Sequence, residues 1–97
     1  LETYAEPGLM AAAGPVDELS VELFDAALTR ATRAGTADAV IDLTGITHLA
    51  SPGVQTLFDY IARSKRTGTT LSLRAPANSP AGQILRVVGL SSTPSVN

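Results

Sequence analysis

The sequence predicts an α/β domain built on a mixed, mostly parallel sheet of about four strands, covered by three or more helices. Three observations point there. Short β-rich runs alternate with amphipathic helical stretches, the pattern of strand–helix–strand units. The helical stretches are bounded by recognisable start and stop residues. The 97 residues are 44% hydrophobic and 16% charged, enough apolar material for one core and too little charge for a disordered chain. The whole chain, 1–97, reads as a single domain with its core at about 9–90.

The elements follow in order. Thr3 to Glu6 and Leu9 to Ala13 read as two short strands with Pro7-Gly8 as the turn between them. Gly14-Pro15-Val16-Asp17 interrupts that pattern. A helix is expected from about Val21 to Ala34, with Leu23, Phe24, Ala27, Leu28 and Ala31 as its apolar stripe. Ser20 is placed as its N-cap and Gly35 as its stop. Ala39 to Leu43 is a nearly continuous apolar run, as expected of a strand covered on both faces. Thr44-Gly45 reads as its end, with Ile46 to Leu49 a further extended piece. The second helix carries Val54, Leu57, Phe58, Ile61 and Ala62 at helical spacing, pairs Asp59 with Arg63, and stops at Gly68. Thr70 to Arg74 alternates as a half-buried strand does. A third helix is predicted from about Pro80 to Val88, with Ile84, Leu85 and Val88 on one side and Gly89 at its end, before a polar tail from Ser91 to Asn97.

Composition excludes several functions. The net charge of −2 and the lack of a basic run leave no electrostatic footprint for nucleic acid. Without cysteine there is no disulfide, thiol switch or thiolate metal site. No apolar run approaches the ~20 residues of a membrane span, and no signal peptide is evident. A cytoplasmic location is expected. The chain opens on Leu1 rather than methionine, which reads as either an excised domain or a trimmed chain.

No catalytic constellation emerges, and neither a metal nor a cofactor is expected. The single histidine, His48, has no nucleophile beside it in any known motif and reads as a loop imidazole at the sheet end. Asp42 needs hydrogen bonds to sit within a buried strand and is expected to hold a nearby loop. Glu18, Glu22 and Asp25 suit the positive end of the first helix. The most informative local feature is Ser51-Pro52-Gly53. Serine followed by proline starts a helix, so Ser51 is expected to cap it. Ser79-Pro80 repeats the device. A helix-start hydroxyl is also a good place for a phosphate. On residue chemistry alone, the cap is the stronger reading.

In this order, Gly14-Pro15-Val16-Asp17, the run Val40-Ile41-Asp42-Leu43-Thr44-Gly45-Ile46-Thr47-His48-Leu49, Ala50-Ser51-Pro52-Gly53-Val54, Gly68 and Val88-Gly89-Leu90 resemble a STAS domain of the anti-sigma factor antagonist family. The likeness runs from about Gly14 to Leu90. It implies a binding module that sequesters an anti-sigma factor, itself a serine kinase of the histidine-kinase-like ATPase class, and so regulates sigma-factor-dependent transcription. It implies phosphorylation at Ser51 as the off-switch, reversed by a metal-dependent serine/threonine phosphatase. Asp17, Ala50, Ser51, Pro52, Gly53 and Val54 would form the partner surface. The sequence departs from the family at two places. Ala50 stands where an aspartate is usual, and Pro52 where a serine or threonine is usual. The first loses a carboxylate and the second a hydroxyl and an N–H donor. Both favour the alternative, a STAS adaptor or regulatory domain of a larger signalling protein or transporter without a phosphate cycle. A small-molecule sensor ranks lower for want of a P-loop, and an enzyme lowest.

Overall fold

Seven elements form, in the predicted order β-β-α-β-α-β-α. The computed structural model describes residues 1–87, with side chains described through Gln83. They are β1 (Glu2–Glu6), β2 (Leu9–Val16), α1 (Val21–Thr32), β3 (Ala39–Leu49), α2 (Ser51–Thr67), β4 (Leu71–Arg74) and α3 (Pro80–Val87). The predicted apolar side of α3 (Ile84, Leu85, Val88), its stop at Gly89 and the polar tail lie outside the described residues.

The sheet is mixed and mostly parallel, as expected. Its order is β1-β2-β3-β4; β1 pairs antiparallel with β2, while β2–β3 and β3–β4 are parallel. That order has a geometric result. A strand–helix–strand crossover is right-handed, so two crossovers stepping the same way along a sheet put both helices on one face. The strands show it. In β3, Ala39, Ile41 and Leu43 are buried, while Val40 and Asp42 between them are only half-buried. The expectation that this strand is covered on both faces is therefore corrected: among the described residues, helices cover one face only. Phe24, Leu28, Met10, Ile41, Leu43 and Leu57 are fully buried beneath them. Each such side chain contributes roughly 1.5–3 kcal/mol of transfer free energy.

The two central strands run on where breaks were expected. β3 passes through Thr44-Gly45, and β2 through Gly14 to Val16. The register between them slips twice, after Ala11↔Asp42 and again between Gly14↔Ile46 and Pro15↔His48. Each slip leaves extra residues on β3, a bulge rather than an end. The burial period changes with them, from Ala39, Ile41, Leu43 to Ile46 and Leu49. Asp42 secures the first bulge by accepting the Thr44 amide at 2.9 Å, so it holds a bulge and not a loop. Gly45 is needed there because a Cβ would lie 2.9 Å from the Cβ of Ala13. Pro15 sits beyond the last β1 pair, Glu2↔Ala13, at the sheet margin where a strand tolerates proline. His48 is an exposed strand residue opposite Pro15, not a loop imidazole.

Helix limits and faces also shift. α1 ends at Thr32, two residues before the predicted Ala34, and the chain turns through left-handed Arg33 and Ala34 before Gly35. Thr32 closes the end: its hydroxyl donates to Leu28 O at 2.7 Å and accepts from Gly35 N at 2.9 Å. Leu23 leaves the predicted stripe and is exposed; Phe24, Ala27, Leu28 and Ala31 stay in it. On α2 the buried line is Gly53, Leu57, Tyr60 and Ser64, with Val54, Phe58 and Ile61 half-buried beside it and Ala62 exposed. Asp59 accepts from Gln55 at 3.3 Å instead of pairing with Arg63, whose guanidinium lies 4.9 Å from the Tyr60 ring centroid. Gly68 ends α2 as predicted.

Candidate functional site

The parallel strands β2 and β3 finish at the same end of the sheet, and each feeds a helix there. Ala50 N donates to Val16 O at 2.9 Å, so the start of α2 is fastened to the end of β2. Gly53 makes the junction close. A Cβ on it would stand 2.6 Å from Val16 Cγ1 and 2.8 Å from Leu49 Cδ1. The β2–α1 turn with Asp17 and the α2 start with Ala50, Ser51, Pro52, Gly53 and Val54 thus share one end of the sheet. Five of the six predicted surface residues belong to one continuous helix start. Of these, Gly53 is buried, Ala50, Pro52 and Val54 are half-buried, and Ser51 is exposed.

The residue at the cap position of α2 is Ala50, in extended conformation, which makes Ser51 the first helical residue and Pro52 the second. This corrects the expectation that Ser51 caps the helix. The helix start has little need of a hydroxyl. Gly53 N and Val54 N both donate to Ala50 O, at 2.9 and 3.1 Å, and proline has no N–H. Ser51 Oγ has no hydrogen-bond partner among the described residues. Ser79, the parallel case, does cap. Its Oγ accepts from Gly82 N at 3.0 Å and donates to Pro76 O at 2.7 Å.

Asp17 organises the neighbouring turn. Its Oδ1 accepts Leu19 N at 2.9 Å and Ser20 N at 3.0 Å, an aspartate turn entering α1. Ser20 holds the N-cap position but its hydroxyl faces backwards. It accepts Asp17 N at 3.0 Å and lies 3.0 Å from both Pro15 O and Asp17 Oδ1. The Ser20 hydroxyl and the two amides hold the Asp17 carboxyl below the ordinary value of 3.8.

Between α1 and α2 lies a groove of about 230 Å³ that brings Glu22, Asp25 and Asp59 together, with Arg63 its one base. Beneath it Tyr60 is buried, its hydroxyl bonded to Thr29 Oγ1 and 3.4 Å from Asp25 O, which it reaches as donor. Burial pushes the Tyr60 phenol above its ordinary value. On the open sheet face a shallow depression of about 330 Å³ is floored by Ala11, Ala13 and Gly45 and flanked by Tyr4 and Asp42. Among the described residues no grouping of histidine, aspartate and glutamate is placed to hold a metal ion. No described helix is long and apolar enough to cross a membrane. Residue patterns did not single out Leu19, which is 94% exposed, and assigned Leu23, 54% exposed, to the core. The available signal was the repeated acid–leucine pair, Glu18-Leu19 and Glu22-Leu23.

A one-sided α/β domain, with an exposed serine where its second crossover helix begins, is the kind of module these elements make. The family model described as "Mlab, STAS domain" matches residues 2–93. The chain belongs to the STAS-domain family, in keeping with the resemblance carried by its Asp17 turn and its Ala50–Val54 helix start.

Proposed function

We propose that this STAS domain is a switchable protein-binding module of the anti-sigma factor antagonist kind. It docks an anti-sigma factor that is also a serine kinase of the histidine-kinase-like ATPase class, and is released when Ser51 is phosphorylated. The supporting observation is the position of Ser51: exposed, first in α2, and free of capping duty. A hydroxyl so placed can enter a kinase site without the helix unravelling. Phosphate there adds close to two negative charges and three acceptor oxygens. The amides of Gly53 and Val54 are already engaged with Ala50 O, and Pro52 has none, so the dianion stays on the surface largely unneutralised. An interface fitted to a neutral hydroxyl would then have to desolvate it, which opposes docking. A metal-dependent phosphatase would restore the binding form.

The test is incubation with the purified candidate kinase and ATP, followed by mass spectrometry of the peptide carrying Ser51. Phosphate at Ser51, and loss of kinase binding in Ser51→Asp, are the expected results. Phosphate only at Ser79, or none, would sink the phosphate cycle. The second reading, an adaptor without a phosphate cycle, is favoured by Ala50 and Pro52, which remove a carboxylate and a hydroxyl from either side of the serine.

A further inference from the structure

The β2–α1 turn presents a side chain that the fold does not use. Leu19 is 94% exposed and Leu23, four residues on, is 54% exposed. Leu19 stands in the turn just before the N-cap Ser20, and Leu23 in the first turn of α1. Single exposed leucines are ordinary on protein surfaces. This pair differs in how it is held. Leu19's amide is bound to Asp17 Oδ1, and Ser20's amide and hydroxyl bind the same carboxylate. The backbone that could tuck Leu19 inward is thereby fixed with its side chain outward.

The stretch that carries the pair has charge of one sign. Asp17, Glu18, Glu22 and Asp25 all fall between residues 17 and 25, with no lysine or arginine among those nine positions. Glu18, Glu22 and Asp25 are exposed. Glu22 and Asp25 also line the α1–α2 groove, where Asp59 from the helix that begins at Ser51 adds a third acid against the single base Arg63. The acidic residues beside the leucines, though not the leucines themselves, therefore reach the groove between α1 and the helix that carries the serine.

We infer that Leu19 and Leu23 are the apolar anchors of the docking surface, and that they insert into an apolar cleft rimmed by lysine and arginine on a partner protein. Charge selects this occupant. A second copy of the same patch would bring four carboxylates against four, and an anionic lipid surface would be repelled likewise. Apolar side chains carried on an already fixed backbone leave less ordering to be done on binding. The inference rests on the docking reading above and adds the chemistry of the partner's side.

The test is calorimetric titration of the purified histidine-kinase-like anti-sigma kinase from the same genome. Leu19→Ser/Leu23→Ser should bind at least about thirtyfold more weakly, a loss of hot-spot size, with its Tm unchanged because both leucines are outside the core. Glu18→Lys/Glu22→Lys should also weaken binding and reduce its dependence on salt. Tyr4→Ser, on the open sheet face, should bind within twofold of wild type. Wild-type affinity in the leucine double variant overturns the inference. So does a wild-type dimer, seen by sedimentation, that the leucine variants abolish, since this would assign the patch to a second copy. Failure of wild type to bind the kinase removes that partner and with it the docking reading, and the patch is then judged by methyl NMR. A synthetic amphipathic helix of leucine and lysine should give saturable, salt-sensitive shifts confined to the Leu19 and Leu23 methyls. A leucine–glutamate helix should give none. No shift at those methyls with the lysine peptide overturns the inference.

Discussion

Two serines, each followed by proline, stand at helix starts and carry different duties. Ser79 Oγ accepts from Gly82 N, whereas Ser51 lies one residue inside its helix and bonds nothing described. Ser79→Ala is expected to cost about 1 kcal/mol in urea unfolding. Ser51→Ala should stay within about 0.5 kcal/mol of wild type, as an exposed substitution does. Equal losses would contradict the assignment. Asp17 sets a second expectation. Its folded pKa is depressed, so its stabilising contribution is complete above the ordinary value of 3.8 and disappears as pH falls through the folded value. Asp17→Asn retains an acceptor oxygen but not the charge. The Tm gap between wild type and Asp17→Asn should therefore be present near neutrality and close below the folded pKa. A gap that widens in acid would reverse the sign.

At the scale of the element, α2 is set by its contact with the ends of β2 and β3. Gly53→Ala would force a Cβ to within 2.6 Å of Val16 Cγ1. A destabilisation of about 1–3 kcal/mol is expected, the cost of overpacking, read from the urea midpoint. Element order and the stop of α2 were legible in the residues because local chemistry fixes them: Pro7-Gly8 turns the hairpin, and Gly68 ends α2. The bulges were not legible. Thr44-Gly45 reads locally as a strand end, but Gly45 is there to let Ala13 approach from the neighbouring strand, a requirement visible only once β2 and β3 pair. The cap of α2 was misplaced for a related reason. Its helix start is satisfied by backbone alone, through Ala50 O and Val16 O, and no side-chain preference marks that. Leu23 was drawn into the core stripe because Leu23 and Ala27 share the i, i+4 spacing, which leaves the edge of a stripe undecided. The proximity of the proposed docking residues was legible in part: Asp17 and residues 50–54 share one end of the sheet, while Leu19 lies in a turn that no periodicity covers.

Across the whole molecule, sequential strand order places α1 and α2 on a single face, and sets β2 and β3 in the middle with β1 and β4 as edges. Stability should be distributed accordingly. Amide hydrogen exchange is expected to be slowest at the paired residues of β2 and β3, and fastest at the outward amides of β1 and at β4, which has only four residues. Exchange as slow in β1 as in β3 would show that its free edge is covered in solution. The back of the sheet bears Tyr4 and Leu9, 56% and 37% exposed, beside Glu2, Glu6 and Asp42. Those acids lie along β1 and its neighbours and discourage edge-to-edge pairing of two like sheets.

The helix start at Ala50, complete without its serine, separates heredity of the shape from heredity of the signal. One codon can turn position 51 into alanine, threonine or aspartate while the architecture registers almost nothing. In the proposed phosphate cycle, a lineage carrying this domain is thus free to silence or lock its responsiveness through this one position, with no compensating change elsewhere in the described fold.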